Sequence, residues 1–390
     1  MVVSNPCDPD PRVEKEALAL ASAGYTVTIH AFDREGNRPK EELLNGIQIL
    51  RYRVGVTPRG APNLFTGLKV LRGLQRFRRK VAETLESENV DIVHCHDADT
   101  LWVGLRVKKK KTVKLVFDMH DLAHTWARMT NPASIIRRIA AFSIERRLIR
   151  RLKSCDLVIT SSGSASKTSK PGFREWIRKR SAVDVVVVEN RPLSVKEPPP
   201  FPERFTIGYI GSIREANMFR TLIDAISIWP ENQRPRFVLA GHGTADKKVN
   251  QMLVDSDIDY DRFGAFNRHE IGDLISKISV MYAVYPVLRG NILEGALPTK
   301  MFDAAAYGRP SVVNSGCLMG DIARAEELGP TVPVGDPLAL RNALDKLRQN
   351  STTVTLDRDW SGEAERLISA YERFGTVLEP SRRRSNYAHD

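Results

Sequence analysis

Cysteine is scarce in this chain: 4 among 390 residues, at Cys7, Cys95, Cys155 and Cys317, widely spaced and without a CxxC pair. That argues against a disulfide framework and the usual zinc spacings, and it points to a reducing compartment. No stretch of about 18 apolar residues occurs, so no membrane-spanning helix is expected. The start shows no basic-then-apolar leader, so no signal peptide is expected. Acidic residues are the minority charge, 47 Asp and Glu against 59 Lys and Arg, for a formal net charge of +12. This excess predicts attraction to anionic partners: phosphorylated small molecules, a membrane surface or nucleic acid.

What is present is ample apolar material, 42% of residues, with 27% charged, over a length suited to two domains. Val13, Ala17, Leu20 and Ala21 predict a helix over 13–23 that Gly24 stops, followed by a strand over 25–30. With the apolar run 1–4 this makes a β-α-β opening. Its first strand reads as cut short, so the natural chain is expected to begin a few residues earlier. Further strands are expected at 46–54, 91–95, 115–117, 157–160 and 183–188. Two helices, 65–85 and 135–152, are strongly basic; the second carries Arg137, Arg138, Arg146, Arg147, Arg150 and Arg151.

Five prolines between 191 and 202 mark a boundary, after which the pattern restarts. A strand over 205–210 meets Gly211-Ser212 and a helix to about 228. A strand over 237–240 meets Gly241-His242-Gly243. A strand over 280–284 and helices over 338–347 and 360–374 follow. The reading is an α/β protein with two tandem, doubly wound, Rossmann-like domains and a cleft between them. The expected divisions are an N-terminal domain 1–190, a linker 191–203, a C-terminal domain 204–352, a helix 353–376 returning to the first domain, and a disordered tail 377–390.

The stretch 291–314, NILEGALPTKMFDAAAYGRPSVVN, reads as loop, helix, stop and strand. Pro298 suits a first helical turn, Gly308 a left-handed closing position, and Pro310 prevents continuation. A helix start offers free N–H groups to an anion. Lys300 stands in the first turn, and Asp303, three residues on, could accept hydrogen bonds from a vicinal diol. The competing reading is an ordinary capped helix with an exposed Lys–Asp pair. Elsewhere, Asp97-Ala98-Asp99 has the D-x-D form of a metal motif, but it ends a strand in the first domain and is read as chance. Strand alternation sets Cys95 opposite His94 and His96, which disfavours zinc.

Taken in order, these segments resemble the GT-B glycosyltransferases of family 4. DPDPRVEKEALALASAGYTVTIHAF, DIVHCHDADTL, KLVFDMHDL, CDLVITSS and VVVVENRP are similar to the acceptor domain of that family. FTIGYIGSI, VLAGHG and ALPTKMFDAAAYGRPSVV are similar to its donor domain, and together the match spans roughly 5–375. The resemblance implies transfer of a sugar from a nucleotide-sugar, UDP- or GDP-linked, to a glycan or lipid-linked acceptor, with retention of configuration and neither metal nor cofactor. It implies His120 and Asp97 facing the reacting sugar. It further implies a donor site from Gly211, Ser212, Arg214, Arg220, Gly241, Gly243, Asn291, Pro298, Thr299, Lys300 and Asp303, with Asp303 on the ribose and Thr299 and Lys300 on the diphosphate. Departures are visible. Asp303 replaces a glutamate, and the acid usual eight residues earlier is Gly295, with Glu294 adjacent. Asp121 also replaces a glutamate, and the usual Arg and Lys after the first donor turn are Ser212 and, roughly, Asn217. A nucleotide-sugar epimerase of the same fold and a non-catalytic binding protein are the alternatives. The basic helices 65–85 and 135–152 are expected to favour an anionic membrane surface on the cytoplasmic side. They lack interleaved stacking aromatics, so nucleic acid is not an expected partner.

Overall fold

The computed structural model describes residues 1–54, 64–129, 131, 133–286, 290–350 and 353–375. The expected tail 377–390 lies outside them. Eight strands form the first sheet: β1 (Val2–Val3), β2 (Thr28–Phe32), β3 (Glu41–Leu44), β4 (Ile47–Tyr52), β5 (Ile92–His96), β6 (Lys114–Met119), β7 (Leu157–Thr160) and β8 (Val185–Val187). Their order is β3-β4-β2-β1-β5-β6-β7-β8. All neighbours run parallel except β3, which folds back antiparallel on β4. Six parallel strands form the second: β9 (Thr206–Ile210), β10 (Arg236–Ala240), β11 (Tyr260–Phe263), β12 (Val280–Ala283), β13 (Ser311–Asn314) and β14 (Thr331–Val332), in the order β11-β10-β9-β12-β13-β14.

Both orders reverse direction beside the first strand of their sheet, between β1 and β5 and between β9 and β12. In doubly wound folds a ligand crevice opens there, at the carboxyl ends of the strands. Short as it is, β1 is central: Val2 pairs with both His30 and Cys95. The strands of both sheets are apolar along nearly their whole length because helices cover both faces. Phe77, Leu115, Phe117 and Leu152 anchor the first core, and Tyr209, Phe219, Phe237, Tyr282 and Phe302 the second.

The chain crosses between the two sheets twice, at 189–194 and at 356–363. The second crossing leads into the helix Trp360–Glu372, which buries Leu367, Ala370 and Tyr371 against Ala19, Leu20 and Val116. The crossings are fastened together. Arg191, fully buried, donates to Glu189 at 2.7 Å, to both Glu326 oxygens at 2.7 Å and to the Arg358 carbonyl at 2.9 Å, and it lies 4.2 Å over the Phe302 ring. Arg358 joins Glu326, Glu189 and Glu363, and the Trp360 amide donates to the Pro192 carbonyl.

Candidate active site

On the first sheet, β5 delivers Asp97 and β6 delivers His120, each just past its strand end. Asp97 takes a left-handed φ of 66°, uncommon for a residue with a Cβ and typical of functional turns. His120 Nε2 lies 3.2 Å from Asp97 Oδ1, and its Nδ1 donates to Asp118 Oδ2 at 3.1 Å. Burial raises the Asp97 carboxyl to about 6, against the opposing pull of His120. Burial also works against the His120 cation, but Asp97 and Asp118 outweigh it and lift the imidazole to about 10. Between those values the pair is a carboxylate facing an imidazolium.

Behind them is a buried network that the sequence reading did not identify. Asp118 accepts two bonds from Arg12, at 2.6 and 2.7 Å, and one from His96 at 3.2 Å. Burial alone would raise Asp118, yet Arg12 holds it well below the usual carboxylate range. Glu16, His94 and His96 bring possible ligand atoms within 4.8 Å of one another. An arginine already supplies positive charge there, with Arg12 3.1 Å from Glu16, and burial followed by the Asp118 charge pushes Glu16 up to about 8. His94 stacks on His96 at 4.3 Å and is bonded through Nδ1 to the Tyr371 hydroxyl at 2.7 Å.

On the second sheet, two glycine turns lock together. The Gly211 amide donates to the Ala240 carbonyl and the Ile213 amide to the His242 carbonyl. At Gly241, φ is 119° and a Cβ would stand 2.1 Å from the Gly211 carbonyl oxygen, so a side chain is excluded. Lys300 reaches into this corner: its Nζ lies 4.8 Å over the Tyr209 ring and would be 2.5 Å from a Cβ at Gly211. The helix here is Lys300–Ala306, starting two residues later than Pro298 suggested. Thr299 caps it and Pro298 belongs to the loop. Only seven residues long, it has a weak macrodipole, which leaves Lys300 as the principal positive charge of this corner. Burial raises the Asp303 carboxyl, opposed by a Thr299 hydrogen bond and then by the charges of Lys300, Lys15 and Arg268.

The other donor candidates are spread out. Ser212 is exposed and its carbonyl accepts from Tyr209 at 2.7 Å; Arg214 lies 5.7 Å over the Trp126 ring of the first domain. Arg220 is exposed inside the helix Ala216–Ser227. Gly243 packs against the Ile213 backbone. Asn291 is buried and bridges the domains, donating to Asp121 Oδ1 at 3.1 Å, while Asp121 also accepts from the Trp126 indole.

The position that lacks its acid has a steric cause. Gly295 takes a φ of 102°, and a Cβ would lie 2.6 Å from Gly172 Cα and from the Pro171 carbonyl oxygen. The backbones of the two domains touch there, leaving no room for a carboxylate. Glu294 turns away, to Arg128 at 3.1 Å and His124 at 3.4 Å.

A family model described as Glycosyltransferase Family 4 matches residues 12–175, and one described as Glycosyl transferases group 1 matches 204–350. Among solved structures, the chain is similar to the sucrose-phosphate synthase of Thermosynechococcus elongatus, with TM-score 0.72 and 16% identity, covering 96% of this chain and 98% of that one. It is similar to Anabaena HepE in complex with UDP-glucose, with TM-score 0.61 and 12% identity over 96% and 98% of the chains. It is also similar to the lipopolysaccharide outer core galactosyltransferase WaaB, with TM-score 0.55 and 16% identity over 97% and 95%. No curated protein matches in sequence. With both halves matched in order and two Rossmann-like sheets carrying them, the chain belongs to the GT-B glycosyltransferases of the family 4, group 1 type.

Proposed function

We propose that the chain moves a sugar from a UDP- or GDP-linked donor to a glycan or lipid-linked acceptor, with retention of configuration and without a metal ion. In this reading 204–352 is the donor domain, 1–190 the acceptor domain, 191–203 the linker, and 353–376 the return to the acceptor domain. The observation that carries it is the meeting of the two sheets' carboxyl ends: Asp303 on one side feels Lys15 from the other, and Asn291 reaches Asp121.

Departure of a nucleoside diphosphate concentrates negative charge on the leaving oxygens. Lys300 and the Ser212 backbone at the open Gly211 turn are the groups assigned to it, and Asp303 accepts from the ribose diol. His120, held as a cation, donates to a sugar or acceptor hydroxyl, and Asp97, ionised above about 6, is the proton acceptor beside it. A thermal-shift screen against UDP, GDP, ADP and their sugars tests the donor, since a specific ligand raises the melting temperature by mass action. No shift with any nucleotide would sink the reading. Product configuration by NMR tests retention, and turnover in a chelator tests metal independence. Gly295 favours one competing reading, a non-catalytic binder, which slow donor hydrolysis would exclude. Conversion of donor without acceptor would instead identify an epimerase.

We also propose peripheral association with an anionic bilayer on the cytoplasmic side. Among the described residues no helix is long and apolar enough to cross a membrane. The helix Ile135–Leu152 nevertheless exposes Ile136 by 80% and Phe142 by 60%, beside the exposed Arg137, Arg138, Arg146 and Arg147. Near an anionic surface each cation contributes about 1 kcal/mol. The helix Leu64–Ser87 adds exposed Lys69, Arg72, Arg76 and Lys80. Co-sedimentation with phosphatidylglycerol vesicles, but not phosphatidylcholine vesicles, and its loss in Ile136→Glu/Phe142→Glu are the expected results. Salt-sensitive binding to duplex DNA instead would revive the nucleic-acid reading.

A further inference from the structure

Asp118 receives four donors on one buried carboxylate. Arg12 Nη2 reaches Oδ1 at 2.6 Å, while Arg12 Nε at 2.7 Å, His120 Nδ1 at 3.1 Å and His96 Nδ1 at 3.2 Å share Oδ2. Asp118 is inaccessible to solvent. It precedes His120 by two residues on the β6 path, so strand alternation aims both to one side. Arg12 is fixed in turn. It sits at the start of the helix Pro11–Ser22, where Asp10 caps the Val13 amide, and its Nη1 donates to the Val188 carbonyl at 3.0 Å. Three separate strand ends, β5, β6 and β8, thus converge on one guanidinium–carboxylate pair.

We propose that Asp118, clamped by Arg12, is a positioning residue for His120: it keeps the Nδ1 proton in place and leaves Nε2 as the ring atom that faces Asp97 and the cleft. The inference rests on the reading of His120 as the group beside the reacting sugar. A free imidazole can rotate and exchange tautomers. Here rotation would break the Nδ1 bond and leave a buried carboxylate oxygen with one donor fewer. The groups facing His120 are few: Asp97 from the start of the helix Asp97–Lys108, Asp118 from β6, and behind them His96 from β5 with Arg12 and Glu16 from the first helix.

The test compares Asp118→Asn, Arg12→Lys, His120→Ala and the double variant Asp118→Asn/His120→Ala in the full chain. The readouts are kcat, donor KM, affinity for the nucleoside diphosphate selected by the thermal screen, melting temperature, and the pH titration of the His120 ring nitrogens by NMR. Asp118→Asn is expected to lower kcat about 100-fold and to move the His120 midpoint down by about one unit or more. Nucleotide affinity should stay within about twofold, and the double variant should be no slower than His120→Ala, as for groups acting as a unit. If Asp118→Asn does not fold, Arg12→Lys, which keeps the cation but loses the forked geometry, is expected to show the same pattern more weakly. An unmoved His120 titration with near-normal kcat, while His120→Ala is inactive, overturns the positioning role and leaves the proposed function standing. Additive losses in the double variant overturn it as well. Full activity in His120→Ala removes both readings together.

Discussion

His120 Nε2 and Asp97 Oδ1 stand 3.2 Å apart at the ends of neighbouring strands, one lifted to about 10 and the other to about 6. The pair therefore exists as an ion pair between those values. The expected kcat/KM profile is bell-shaped, with an acid limb near pH 6 and an alkaline limb near pH 10. His120, raised above its ordinary 6.5, stabilises the fold fully below that value and loses the contribution as pH rises through 10. Asp97 acts in the same sense at lower pH, stability again falling as pH rises. Folded chain holds a proton that unfolded chain releases near 3.8, so stability falls between 3.8 and about 6. Melting temperatures and rates across pH 4–11 check both, and His120→Gln should flatten the alkaline limb.

Lys300→Ala and Asp303→Ala should each weaken nucleoside diphosphate binding while the protein stays folded. About tenfold per substitution is expected, equivalent to ~1.4 kcal/mol, read by titration calorimetry. Asp303→Asn, which keeps an acceptor oxygen, should lose less. Unchanged affinity in both alanine variants would remove these residues from the donor site.

Gly241→Ala should be damaging out of proportion to its size. It places a methyl group 2.1 Å from the Gly211 carbonyl oxygen at a φ of 119°. A loss of at least ~2 kcal/mol in urea unfolding is expected, together with weakened donor binding, because the Gly211 turn must shift. Alanine at Gly335, where a Cβ meets nothing within 4 Å but φ is also positive, at 76°, provides the comparison for backbone strain without the clash.

Arg191→Met should cost about 3 kcal/mol or more, because Glu189 and Glu326 are left under-compensated in a buried place. Adding Glu326→Gln should recover part of the loss. The two halves would each keep their own core, so the expected signature in calorimetry is a broader transition rather than uniform melting.

The two doubly wound sheets were legible in the sequence because their signals are local: apolar strands, glycine turns at their ends, and a proline-rich break between two restarts. Asp97 and His120 stand out through the family resemblance of the segments around them, not through local period. Arg12 and Asp118 could not be singled out, since their contact spans 106 positions. Pro298 misled by one statistical preference: proline suits a first helical turn, but here Thr299 holds the cap. Gly295 was visible as a missing acid, yet its reason, contact with the Gly172 backbone, belongs to tertiary structure alone. The strand β14, with two residues, is too brief to carry a period.

The double crossing of the chain has a mechanical meaning. Two segments fastened around Arg191 form a single buried point of attachment between the sheets. Separating the two crossings would tear both Glu326 oxygens and the Arg358 carbonyl from that guanidinium together. Elsewhere the halves meet through the side chains of Asn291 with Asp121 and Glu294 with Arg128, and through the backbones at Gly295 and Gly172. The two halves are thus joined like a clasp, with one buried fastening at the arginine and several lighter contacts besides.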